Sequence, residues 1–208
     1  SLALWDWCAR RQVRFVYASS AATYGDGENG FADDEDPVSL ARLRPMNPYG
    51  WSKHLFDRRV ARLVAEDRPR PPQWAGLKFF NVYGPNEYHK GGQMSVVAQL
   101  QPKIATGEAA VLFKSHRAGI PDGGQRRDFI WVGDCVDVMM WLRDSPAVNG
   151  LFNVGTGQAR SFADLATAIF AAADTAPRIT YVDTPEAIRD NYQYFTEARM
   201  TRLRATGY

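Results

Sequence analysis

The sequence predicts an α/β protein built on a largely parallel sheet, and three observations carry that prediction. Short apolar runs rich in β-branched and aromatic residues alternate with longer segments whose apolar positions recur at helical spacing. Several runs end in small hydroxylic residues or glycines, as in "VRFVYASS" (Val13 to Ser20) and "GLFNVGTG" (Gly150 to Gly157). That is how a buried parallel strand looks where its C-terminal end opens onto a site. No internal repeat or low-complexity tract competes with the alternation.

Each element follows in order. Leu2 to Arg11 reads as the tail of a helix already in progress, and Val13 to Ser20 as the first strand. The Gly- and Asp-rich stretch from Tyr24 to Met46 reads as a long polar loop; its acidic run Ala32–Asp36 could bind a cation but reads first as a solvated loop. Asn47 as N-cap and Pro48 as first helical residue open a helix, which Leu55, Val60, Leu63 and Val64 carry to about Glu66. "DRPRPPQW" stops it. Ala75 to Pro85 forms a second strand, and Met94 to Ala105 a helix closed by Gly107. "AAVLF" is a strand leading into a Gly-rich basic loop, and "DFIWVGD" a strand with Asp134 and Asp137 as the capping box of a helix to Arg143. After the strand "GLFNVGTG", Ser161 and Asp164 cap a helix from Phe162 to Ala173, and "RITYVD" is the final strand.

Composition narrows the functional classes. The chain has 208 residues, 45% apolar and 23% charged, the balance of a globular protein able to bury its own core. A formal charge of +2 gives no footing for nucleic acid or an acidic membrane surface. No apolar run approaches the ~18 residues that span a bilayer, and "SLALWDWCARRQ" lacks the organisation of a signal peptide. Cys8 and Cys135 have no paired spacing and read as reduced, inert thiols of the cytosol. The three histidines form no ligand cluster, so no metal is expected.

The chemistry centres on "NPYGWSK", where Tyr49 and Lys53 stand at positions i and i+4 of one helix and share a face. A phenol is a poor base at neutrality; a neighbouring cation favours its phenolate and makes it useful for moving a hydroxyl proton. Taken alone the spacing is a weak signal, and two side chains on an ordinary amphipathic helix is the commoner reading. Ser20, at a strand end upstream, adds a hydroxyl able to hold a substrate oxygen. A nucleotide-binding α/β domain opens with a strand, a Gly-rich turn and a helix. "GTG" at Gly155–Gly157 is too short and too late for that fingerprint, so the chain reads as a fragment beginning after the phosphate-binding half.

"VYASSAATYG", "NPYGWSK", "KFFNVYGP", "RRDFIWVGD" and "FNVGTG", in this order across nearly the whole chain, resemble the extended short-chain dehydrogenase/reductases that modify nucleotide sugars. Within that superfamily "NVYGPNEYHKGGQMSVV" and "NYQYFTEARMTRLRATGY" resemble the ADP-L-glycero-D-manno-heptose 6-epimerases. The Glu-x-His-Lys segment discriminates them from UDP-sugar 4-epimerases and 4,6-dehydratases. The dehydratases also show Thr-Asp-Glu where this chain has "SSAATYG".

The resemblance implies a Rossmann-like doubly wound sheet, present here as its C-terminal half, with a smaller α/β substrate-binding domain. Residues 1–88 and 128–154 would belong to the first, 89–127 and 155–208 to the second. It implies NADP-dependent inversion at C6 of ADP-D-glycero-D-manno-heptose through a transient ketone, for lipopolysaccharide core precursors, in a cytoplasmic homo-oligomer. The alternatives are another nucleotide-sugar epimerase or reductase, or a non-catalytic sugar-nucleotide binder.

Residue roles come by the same route. Ser20 would hydrogen-bond the reacting oxygen, Tyr49 would be one acid/base residue, and Lys53 would favour its phenolate and touch the nicotinamide ribose. Lys90 matches the second acid/base residue; without its motif it would read as a solvated lysine before a Gly-Gly turn. Val82 and His89 match cofactor contacts. Asn81, Gly92, Gln99, Phe113, Arg127 and Tyr192 match substrate contacts, with Arg127 suited to a diphosphate. The family has serine at the position of Gly92 and commonly histidine at Gln99, and residue pairing in the loop after Phe113 is open. Tyr192 is equally well read as a half-buried aromatic on a surface turn.

Overall fold

The computed structural model describes residues 1–189 and 192–208. Helix α1 (Leu2–Arg11) closes on Gln12 in the left-handed conformation, with the Val13 amide donating to the Cys8 carbonyl. That closure occupies Val13, so β1 starts later than expected, at Phe15–Ser20. A 3-10 turn at Ala21–Tyr24 follows directly.

The polar loop is more structured than its composition suggests. It contains a short helix, α2 (Pro37–Arg42), whose first turn is capped by the Asp36 carboxylate. Its acidic run is solvated only in part, with Asp34 and Asp36 exposed and Asp33 buried. The Asp33 and Glu35 carboxylates accept the amides of Asn153 and Leu151, covering a strand edge, and Glu35 also pairs with Arg202 at 2.9 Å.

Helix α3 (Pro48–Ala65) begins as expected, the Asn47 side chain accepting from the Gly50 amide at 2.8 Å. The expected strand 75–85 is two strands, β2 (Trp74–Phe79) and β3 (Asn81–Tyr83). The chain changes partners at Phe80, whose amide donates to Val154 while the next amide, Asn81, donates to Asp128. A 3-10 segment at Tyr88–Gln93 leads to α4 (Val96–Ala105), capped by Ser95. Gly107 follows with φ +85°, the left-handed closing residue the sequence predicts.

Next come β4 (Ala110–Phe113), β5 (Arg126–Arg127) and β6 (Phe129–Trp131). Helix α5 (Val132–Asp144) starts two residues before Asp134, which therefore lies in its first turn and caps nothing. At that place it complements the helix dipole instead. Strands β7 (Gly150–Val154) and β8 (Arg160–Ser161) precede α6 (Phe162–Ala172). Its Ser161–Asp164 capping box forms as expected, the hydroxyl and carboxylate each accepting the other's amide at 2.9 and 3.1 Å. Strand β9 (Ile179–Val182) and short helices α7 (Glu186–Arg189) and α8 (Thr201–Ala205) complete the described chain.

The main sheet is parallel, in the order β1–β2–β7. Two further parallel pairs, β3–β6 and β4–β9, and one antiparallel pair, β5–β8, surround it. Ser20 is in register with Phe79, and Phe79 with Val154, so all three strands end at one edge. In open α/β sheets that carboxyl edge is where ligands bind.

Two apolar clusters form the core. The larger packs Trp5, Phe15, Val60, Trp74, Leu77, Leu142 and Phe152 around the main sheet. The smaller joins α4, β4 and α6 through Leu100, Ile104, Leu112, Ala166 and Phe170. Ala198, Met200 and Leu203 return to the larger cluster. No described helix is long and apolar enough to cross a membrane, and no cluster of potential metal ligands occurs among the described residues.

Candidate active site

At the carboxyl edge of β1 the Ser20 hydroxyl oxygen accepts the Ala22 amide at 3.1 Å, capping the 3-10 turn. Its own proton remains available to a substrate oxygen. Helix α3 is pressed against that turn at Gly50, where a Cβ would come within 2.6 Å of the Ala22 carbonyl oxygen. Only a glycine lets the helix begin so close, and this approach brings Tyr49 to the end of β1.

Tyr49 is 57% exposed, and the Lys53 ammonium lies 5.7 Å from its ring centroid, within cation–π reach. The Lys53 amine is tied to the scaffold by a 3.0 Å bond to the Ala18 carbonyl, two residues before Ser20. Lys53 therefore stands beside Tyr49 and is tied to β1 two residues before Ser20.

Beneath this group lies a polar network that the sequence reading missed. Asp57, one helical turn beyond Lys53, meets Lys78 of β2 at 3.1 Å, both side chains wholly buried. Ser19 and Tyr17 donate to the Asp57 carboxylate at 2.6 and 3.1 Å. Lys78 donates to Thr23 Oγ1, and Thr23 in turn to the Ser20 carbonyl, each at 2.8 Å. The network links α3, β1, β2 and the Ser20 turn. Its signal was present: Tyr49, Lys53 and Asp57 repeat every four residues on one helix face.

The second group surrounds a cavity of about 300 Å³ lined by Asn81, Val82, Glu87, Lys90, Phe129 and Phe162, among others. Lys90 is half-exposed and ion-paired to the buried Glu87 at 3.2 Å. Burial pushes the Glu87 carboxyl up, but bonds from the Ser95 hydroxyl and amide, Lys90 and the Gly84 amide outweigh it and hold it below the usual range.

An adjoining cavity of about 330 Å³ is lined by Gly92, Gln99, Lys103, Phe113 and Tyr192. Val96 and Phe162 line both cavities, so they share a wall. Gly92 opens onto empty space, and the Gln99 side chain donates back to the Met94 carbonyl. Phe113 meets Tyr192 edge-on at 6.0 Å. Lys103, four residues after Gln99 on α4, was not anticipated.

Arg127 is buried between the rings of Phe162 and Tyr192, 5.6 and 5.4 Å from their centroids. It donates to the Arg126 and Gln193 carbonyls and makes no ion pair among the described residues. Desolvation holds its guanidinium below the usual arginine range.

Tyr49, Ser20 and Lys53 line neither cavity. His89 is exposed on the 3-10 segment beside Lys90. Asn191, in the C-terminal motif, lies outside the described residues. The Gly155–Gly157 turn is not a phosphate cradle: its Thr156 and Gly157 amides donate to the buried Asp128 carboxylate at 2.7 and 2.9 Å.

Comparison with known proteins bears on this arrangement. Residues 1–155 match the model of the NAD dependent epimerase/dehydratase family. The ADP-L-glycero-D-manno-heptose-6-epimerase of Nitratidesulfovibrio vulgaris is 52% identical, over 98% of this chain and 61% of its own length. That of Fusobacterium nucleatum is 44% identical, over 99% and 62%. Among solved structures, the Helicobacter pylori ADP-L-glycero-D-manno-heptose-6-epimerase superposes with a TM-score of 0.72 at 25% identity, over 100% of this chain and 58% of its own. A Thermus thermophilus UDP-glucose 4-epimerase in complex with NAD gives 0.75 at 26%, over 100% and 62%. The chain thus spans about three fifths of the length of the curated relatives it matches.

Proposed function

This chain belongs to the NAD dependent epimerase/dehydratase family, and from that premise we propose that it inverts C6 of ADP-D-glycero-D-manno-heptose, with NADP as cofactor. The observation that carries the reading is the grouping of Lys90 with Asn81 and Val82 around one cavity; Ser20, at the carboxyl end of β1, and Tyr49 stand outside it. The heptose epimerase names of relatives 52% and 44% identical support the substrate.

The residues present fit the nicotinamide end of a dinucleotide. Tyr49 is open to solvent, Lys53 is fixed beside it, and Val82 lines the neighbouring cavity. Tyr49, Lys53, Val82 and His89 would hold the nicotinamide end. Its pyrophosphate would need a cradle that the described residues do not offer, since the one glycine turn after β7 is taken up by Asp128. When bound, the cofactor supplies the centre that removes hydride from C6 and returns it.

The chain's own groups handle binding and protons. Arg127 takes the diphosphate, and Gly92, Gln99, Phe113 and Tyr192 accommodate the nucleotide side of the substrate. The Ser20 proton holds the C6 oxygen. Tyr49 removes that oxygen's proton as the alcohol becomes a ketone; once the ketone has turned over, Lys90 returns a proton to the same oxygen in its new orientation. Inversion needs a proton handler for each orientation.

Residues 1–88 with 128–154 would form the cofactor domain, and 89–127 with 155–208 the substrate domain. A cytoplasmic homo-oligomer supplying lipopolysaccharide precursors belongs to the same reading. The test is to incubate the full-length protein with ADP-D-glycero-D-manno-heptose and NADP and follow C6 configuration by NMR. Conversion to the L-glycero epimer is expected; conversion of UDP-glucose in its place, with the heptose untouched, would overturn the substrate assignment.

A further inference from the structure

The two glycines after Lys90 pose a positioning problem. Gly91 has φ +54°, and neither Gly91 nor Gly92 has another atom within 4 Å of where a Cβ would stand. A lysine carries four flexible methylenes, and the two residues after it have no side chains to pack against it. Proton transfer nevertheless requires its amine within hydrogen-bond reach of one oxygen.

We infer that Glu87 is a positioning residue for Lys90: a carboxylate anchored on the cavity wall that fixes where the amine stands. The inference rests on the reading of Lys90 as an acid/base group. Glu87 is 6% exposed and lines the same cavity as Lys90. Its oxygens accept from four donors. Oε1 takes the Ser95 hydroxyl at 2.7 Å and the Gly84 amide at 3.3 Å; Oε2 takes the Ser95 amide at 2.9 Å and Lys90 Nζ at 3.2 Å.

Three of those donors belong to the rigid frame, the end of β3 and the N-cap of α4, so they fix the carboxylate before the lysine arrives. The fourth is the amine, and Glu87 is its one hydrogen-bond partner among the described residues. The backbone adds a further tie, the Lys90 amide donating to the Glu87 carbonyl at 2.9 Å. A surface ion pair between two flexible chains contributes little. Here one partner is already immobilised, and the pair can hold a geometry.

The test is a double-mutant cycle in the full-length protein, reading kcat and KM for inversion of the ADP-heptose. Glu87→Gln keeps the shape and can still accept from Ser95. It is expected to lower kcat about tenfold with KM within about threefold when Lys90 is present, and to change the rate of Lys90→Ala by less than about twofold. Glu87→Asp keeps the charge but withdraws it by one methylene. The same contrast between the two backgrounds is required of it, which covers a failure of Glu87→Gln to fold. Equal losses in both backgrounds would overturn the inference and leave the proposed function standing. An undiminished rate for Lys90→Ala alone would overturn the acid/base role of Lys90 and this inference with it, while C6 inversion itself would stand.

Discussion

Asp57 and Lys78 meet at 3.1 Å with no solvent on either side chain, one from α3 and one from β2, directly beneath the Ser20 turn. Removing one charge leaves the other buried without its counterion. Asp57→Asn is therefore expected to destabilise the fold by about 3–5 kcal/mol. Replacing both with apolar residues of similar volume removes the unpaired charge but leaves the Ser19 and Tyr17 hydroxyls without their acceptor, so it should recover only part of that loss. Urea denaturation of the single and double variants measures it; a single variant within ~1 kcal/mol of the parent would contradict the account.

Gly50 sets how closely α3 approaches β1. A methyl group there would overlap the Ala22 carbonyl oxygen at 2.6 Å, and backbone on both sides cannot yield cheaply. Gly50→Ala should lower stability by roughly 1–3 kcal/mol. It should also depress kcat more than KM, because the displaced helix carries Tyr49 and Lys53. Thermal melting paired with steady-state kinetics separates the two effects.

His54 is fully buried on α3, with neither ring nitrogen hydrogen-bonded among the described residues. Burial, helped by the nearby Lys78 and Arg58 charges, pulls its imidazole down to about 4. The unfolded chain takes up this proton near pH 6.5 and the folded one only near 4, so stability is intact above pH 6.5 and lost as pH falls through that window. His54→Leu should flatten the loss by about 2–3 kcal/mol and be neutral or stabilising at pH 7. Denaturation midpoints from pH 4 to 8 check it; an unchanged acid slope would refute the assignment.

Arg127 stands between two aromatic rings with its guanidinium short of an acidic partner among the described residues. A lysine there keeps the charge but loses the planar fork that grips phosphate oxygens. Arg127→Lys should raise KM about tenfold and leave kcat within about twofold. A fall in kcat with KM unchanged would place Arg127 in the chemistry instead.

What was legible in the sequence was local. Asn47–Pro48 and Ser161–Asp164 announce helix starts because the capping bonds join residues three apart, and both form. Asp134 carries the same signature yet caps nothing, because α5 follows β6 without a loop and begins two residues earlier. The break at Phe80 was invisible for a related reason: "KFFNVY" is uniformly strand-like, and only its two different neighbours, β7 and β6, divide it. The acidic run covering the edge of β7 joins residues more than a hundred positions apart. At the site, the motifs supplied the side chains to which the chemistry is assigned in the proposed function. Of their supports, Asp57 lay in a four-residue helical repeat and Lys78 within a strand, while Glu87 stood inside the Glu-x-His-Lys segment with no role of its own assigned.

The central claim is that two different groups handle the proton of one sugar oxygen, that on C6. The most direct measurement is the rate of C6 inversion by full-length Lys90→Ala, followed by NMR alongside its affinity for the ADP-heptose. The account predicts a loss of about 10²–10⁴-fold in rate with affinity nearly unchanged. Inversion at the parent rate would contradict it.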